Sequence, residues 1–112
     1  GVSNMKNTPE QLELPFDPPL EVVSARAKVL RTAEGYITKD RANTHGDMEA
    51  NFTCVAEYWT THIGHTVTAV DVAVMMSLLK LARIKSNAGN LDNWVDGCGY
   101  LACGGELTSK EA

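Results

Sequence analysis

From Thr68 to Lys85 the chain carries Val70, Val72, Val74, Met75, Met76, Leu78, Leu79, Leu81 and Ile84. At the roughly 100° per residue of an α-helix these side chains point in nearly every direction. A helix that is apolar all round is stable only when protein surrounds it. Thr68 followed three residues later by Asp71 forms a capping box, so the pattern predicts a helix that begins after Thr68 and runs to about Lys85. This is the expected central helix, and the rest of the chain, or another copy of it, must cover it.

Three further helices are expected around it. Leu20 to Glu34 interleaves Val22, Val23, Ala25, Ala27, Val29 and Leu30 with charges at helical spacing, and Gly35 reads as its stop. Tyr36 to Asp47 is aperiodic and polar, which predicts a loop. Met48 to Ile63 predicts the second helix, with Asp47 as N-cap and Gly64 as the left-handed residue at its end. Ser86 to Gly89 is a short turn and Asn90 an N-cap, so the fourth helix, from Leu91 to about Leu107, makes an antiparallel hairpin with the third. That last helix contains Gly97, Gly99, Gly104 and Gly105, and each interior glycine costs up to about 1 kcal/mol relative to alanine. Close approach to a neighbouring helix, or to a second copy of the chain, is the expected compensation. With 44% hydrophobic but only 6% aromatic residues the core must be aliphatic. The fold class is therefore all-α, a four-helix, bundle-like single domain over residues 20–112.

All four prolines, Pro9, Pro15, Pro18 and Pro19, fall within residues 1–19, where they prevent a regular helix and predict an extended arm. Gly1 to Asn4 before Met5 read as the remnant of a tag, which makes Met5 the expected native start. Ten basic against fourteen acidic residues give a net charge of −4 and argue against long nucleic acid as a partner. Three cysteines, Cys54, Cys98 and Cys103, leave one unpaired in any intramolecular scheme, so reduced thiols and a cytoplasmic location are expected. The longest apolar stretch is interrupted by Ser77 and Lys80, which predicts no membrane span.

The charges on the hairpin carry the chemistry. Lys80 and Arg83 lie on one side of the third helix, while Asp92, Asn93, Asp96 and Tyr100 share a face of the fourth. In an antiparallel hairpin the two bases reach the two acids. The functional reading is a pocket for a phosphorylated small molecule: the bases grip phosphate, Asp92 and Asp96 hold a magnesium ion, and Tyr100 or Trp94 stacks on a base. Arg41 and His45 in the polar loop are then candidates to close over the ligand. The alternative reading is an ion-pair network that sets helix register. His62 and His65 are three apart, but Gly64 between them breaks the helix, so a cationic helix end is favoured over a metal site. Cys98 and Cys103 are read as small packing residues.

The runs Asp40-Arg41, His45-Gly46-Asp47 and Asn51-Phe52, then Asp71-Val72-Ala73 and Leu79-Lys80-Leu81-Ala82-Arg83, then Asp92-Asn93-Trp94-Val95-Asp96 and Gly99-Tyr100, resemble a family of small bacteriophage proteins over residues 20–107. That family is in turn similar to the all-α nucleotide pyrophosphohydrolases of the MazG and dimeric dUTPase type. The resemblance implies a nucleotide-handling protein in the host cytoplasm. In those enzymes Glu-x-x-Glu and Glu-x-x-Asp hold magnesium on successive helices. Here the corresponding positions read Lys80-x-x-Arg83 and Asn93-x-x-Asp96, so two carboxylates are replaced by cations, which leaves too few for a two-metal hydrolase unless Glu49, Glu57 or Asp71 supplies them. Three functions stay open: a pyrophosphohydrolase, a non-catalytic binder that sequesters a nucleotide-like signal, and a structural or interaction module. The apolar third helix and the glycine-rich fourth also predict a homo-oligomer. Because the arm lacks the length and period to form core, deleting residues 5–19 should leave most helical content intact. Circular dichroism with thermal melting checks this, and loss of the cooperative transition would place the arm in the core.

Overall fold

In the computed structural model, residues 23–38 and 47–111 are described. They form four helices: α1 (Ala25–Ile37), α2 (Met48–Ile63), α3 (Ala69–Ser86) and α4 (Leu91–Glu111). Expectations for the N-terminal arm and for Lys39 to Gly46, Arg41 and His45 included, lie outside the described residues.

Local chemistry sets the helix ends. Asp47 accepts from the Ala50 amide at 2.9 Å to open α2, and Gly64, at φ 85°, closes it with its N–H on the Thr60 carbonyl. The capping box at α3 is complete: the Asp71 amide donates to Thr68 Oγ1 at 3.1 Å, and the Thr68 amide donates to Asp71 Oδ2 at 2.9 Å. Between α2 and α3 the Val67 amide donates to Thr60 Oγ1 at 2.7 Å, and the same hydroxyl donates to the Val67 carbonyl at 3.2 Å, which pins the connection. At α4 the Asp92 amide donates to Asn90 Oδ1.

Three boundaries depart from expectation. α1 begins at Ala25 rather than Leu20, because Ser24 is extended and its hydroxyl accepts from the Ala27 amide, and it runs through Gly35 to Ile37. Gly35 stays helical because nothing locally requires a left-handed residue: the helix is capped instead at Thr38, whose amide and hydroxyl both donate to the Glu34 carbonyl. α4 continues past Leu107 to Glu111.

The result is the expected four-helix, bundle-like all-α domain. α4 packs most extensively on α3 and also on α1, while α2 packs on the other flank of α3. Val72, Ala73, Val95, Cys103 and Leu107 are buried along the α3–α4 contact, with Ala33 of α1 and Ala56 of α2 sealing its two sides. Small residues set the spacing. A Cβ at Gly104 would lie 3.0 Å from the Ala73 Cβ, and one at Gly99 would lie 3.1 Å from Ile37 Cγ2 of α1. These approaches are the compensation expected for glycine inside a helix.

Within one chain the described residues do not cover all of α3: Val74, Met75, Leu78, Leu79 and Leu81 are exposed. With α4 and α2 on its flanks, the described elements leave its outer side open.

The glycines separate into two kinds that substitution distinguishes. Nothing lies within 4 Å of a Cβ built on Gly35, so Gly35→Ala should stabilise the fold by about 0.5–1 kcal/mol through lost chain entropy in the unfolded state. Gly104→Ala must push α3 from α4 and should cost about 1–3 kcal/mol. Urea unfolding of the two variants measures both signs.

Candidate functional site

The turn Asn87–Asn90 folds α4 back along α3, so the end of α3 faces the start of α4. Gly97 lies against the stem of Lys80, where an added Cβ would be 3.8 Å from the lysine Cβ. The lysine is thereby turned along α4, and its Nζ sits 3.1 Å from Asp96 Oδ2. The two side chains are 12% and 30% exposed. In such partial burial the carboxylate supplies the charge compensation that the lysine has lost with water. One turn earlier on α4, Asn93 is only 7% exposed, and its side-chain amide makes no hydrogen bond among the described residues. A buried amide without a partner carries a desolvation penalty of about 1–3 kcal/mol. Ser77, also buried, donates its hydroxyl to the Ala73 carbonyl at 2.8 Å.

Of the two bases and two acids expected to meet, Lys80 and Asp96 do so. Arg83 and Asp92 are exposed and form no ion pair among the described residues. Asp92 stands in the first turn of α4, where a carboxylate favours the helix dipole. Tyr100 is half-buried and meets Phe52 of α2 with ring centroids 6.2 Å apart and planes tilted by 39°. Trp94 leaves the constellation. It lies about 160° round the helix from Asp96, and its indole N–H donates to the Ala88 carbonyl at 2.9 Å.

α1 finishes with Ile37 against Gly99, and Phe52, in the second turn of α2, packs on Tyr100, so both helices reach the turn of α4 that follows Asp96.

Among the described residues no group of three or more His, Cys, Asp or Glu side chains stands close enough to hold a metal. His62 and His65 are exposed on either side of Gly64. All three cysteines are free thiols. Burial, and secondarily the charge of Glu106, push the Cys103 thiol above its ordinary range. At neutral pH it is protonated and inert, which fits packing rather than redox chemistry. The burial of Asn93 was missed from sequence, although its spacing of three from Asp96 and seven from Tyr100 puts it on their face. Iodoacetamide at pH 7.5 should modify exposed Cys54 and spare Cys103 until the protein is denatured; mass spectrometry of the digested protein reads the difference.

Comparison with known proteins places the chain. The family model described as "Domain of unknown function (DUF6378)" matches residues 28–108. The Gene 55 protein of Mycobacterium phage L5 is 42% identical over 73 residues, covering 64% of this chain and 47% of that protein. The Gene 55 protein of Mycobacterium phage D29 is 29% identical over 75 residues, covering 67% of this chain and 50% of that protein. The chain thus spans about half the length of these relatives. No solved structure matches it significantly, and nothing in these matches points to the MazG-type hydrolases. No helix among the described residues is long and apolar enough to cross a membrane. Since the family model covers well over half of the chain, the protein belongs to the DUF6378 family, whose relatives found here are bacteriophage proteins.

Proposed function

We propose that this chain captures a phosphorylated, nucleotide-like small molecule at the joined end of the α3–α4 hairpin, without cleaving it. The observation that carries the reading is the buried side-chain amide of Asn93, which has no hydrogen-bond partner among the described residues, one turn from the half-buried Lys80–Asp96 pair. A polar group held out of water without a protein partner is accounted for if a ligand supplies the partner. Arg83, exposed and without an ion pair among the described residues, keeps its guanidinium donors for a phosphate, which it can grip through two parallel hydrogen bonds. Lys80 adds positive charge beside it, and Tyr100 offers a ring for stacking.

Magnesium-dependent cleavage, as in MazG-type enzymes, would place the ion on Asp92 and Asp96. An ammonium already stands 3.1 Å from Asp96. Two carboxylates, one of them so paired, are a sparse donor set for two-metal hydrolysis. This favours capture over reaction, and the same pairing leaves the role of Lys80 partly structural.

The test is a thermal-shift panel of nucleoside mono-, di- and triphosphates and cyclic nucleotides, with and without magnesium, followed by calorimetry on Arg83→Ala. Magnesium-independent stabilisation of the wild type is expected. Arg83→Ala should lose about 1.5–3 kcal/mol of affinity, while its stability should stay within about 0.5 kcal/mol because the side chain is exposed and makes no ion pair among the described residues. Stabilisation that requires magnesium, with phosphate release, would return the reading to a hydrolase. No response to any nucleotide would leave Lys80–Asp96 as a register-setting pair in an interaction module.

A further inference from the structure

The outer face of the α3–α4 hairpin, on the side away from α1 and α2, carries an uncovered apolar surface among the described residues. On α3 it presents Val74, Leu78 and Leu81, and on α4 Trp94 and Leu101, with Leu78 57% and Leu101 63% exposed. Between the helices lies a groove of about 410 Å³, bordered by Val70, Val74, Leu101, Gly105 and Thr108. No charged side chain interrupts this face between Asp71 at one end of α3 and Lys85 at the other. Lys80 is turned inward to Asp96, and helical phase puts Arg83 on the opposite side.

From this face we infer that a second copy of the chain docks here, related by a twofold axis level with Leu78, with α3 antiparallel to its mate and α4 antiparallel to its own. The register follows from distances within the protomer. Lys80 lies beside Gly97 and Ala73 beside Gly104, so Leu78 stands level with Gly99. A twofold at that level sets Leu78 against Leu78. It also brings the indole of Trp94 level with Gly104 and Gly105 of the other copy, where the groove opens. Gly105 has nothing within 4 Å of its Cβ position, so the hollow has room for a ring. The same operation sets Asp71 of one copy opposite Lys85 of the other, twice. Both residues are exposed at the rim, and charges of opposite sign meeting on reversal of the chain are what a self-complementary contact requires.

The area agrees. The exposed parts of Val74, Leu78, Leu81, Leu91, Trp94 and Leu101 amount to roughly 700 Å² per protomer, against about 800 Å² per partner in an ordinary stable interface. The Lys80–Asp96 pair lies on the other side of the hairpin, and of the residues in the ligand reading only Tyr100 also borders this groove.

Light scattering on the eluting full chain at micromolar concentration tests it, with an expected mass of twice 12.1 kDa. Leu78→Glu sets two carboxylates together on the axis, and Gly105→Leu fills the hollow at a position with open space in the protomer. Each should shift the mass from two chains to one with helical circular dichroism retained. Tyr58→Glu, on exposed α2 surface, should not. Hydrogen exchange of the wild type gives a reading that does not depend on the variants folding: protection within residues 74–81 and 94–105 should fall on dilution. A single-chain mass for the wild type, a dimer that persists in both variants, or concentration-dependent protection confined to α2 would overturn the inference.

Discussion

The close approach of α3 and α4 is the constraint on which the rest of the structure depends. Gly104 stands where any Cβ would be 3.0 Å from the Ala73 Cβ, so the two helices approach closely at this point. That nearness buries Val72, Val95, Cys103 and Leu107 with few large side chains, as a chain with 6% aromatic residues requires. It also fixes the level of every residue on one helix against the other. Gly97 beside Lys80 is a second point of the same contact, and the lysine there pairs with Asp96.

The hairpin consequently has two unlike sides. Toward α1 and α2 it gathers its polar groups: the Lys80–Asp96 pair, the buried amide of Asn93 and the ring of Tyr100 against Phe52. Away from them it is apolar and open. Helical phase alone produces this division, since Asp96 and Trp94 differ by two residues and so point in nearly opposite directions. A substitution at the contact, such as one at Gly104, would disturb both sides together, because it changes the level and separation that both share.

Much of the fold was legible where local chemistry sets it. Asp47, Gly64 and the Thr68–Asp71 box mark helix ends by hydrogen bonds that span three or four residues, and these were read without tertiary information. Gly35 misled because glycine permits a helix end without requiring one, and the termination falls instead on Thr38. The site was legible by half. Spacing placed Lys80, Asp96, Asn93 and Tyr100 on facing arcs, but it could not say which base reaches which acid, since a lysine and an arginine three residues apart both lie near the same arc.

The amino-acid sequence by itself determined the all-α class, the hairpin and the compensation demanded by glycine in α4, because each follows from interactions within a few residues. Only the tertiary structure decided that Lys80 rather than Arg83 pairs with Asp96, that the side chain of Asn93 is buried without a hydrogen bond among the described residues, and that those residues leave one side of the all-round apolar α3 exposed. Those outcomes depend on how closely two helices approach and on what lies on their far sides. These are properties of packing between distant residues, which periodicity along one helix does not contain.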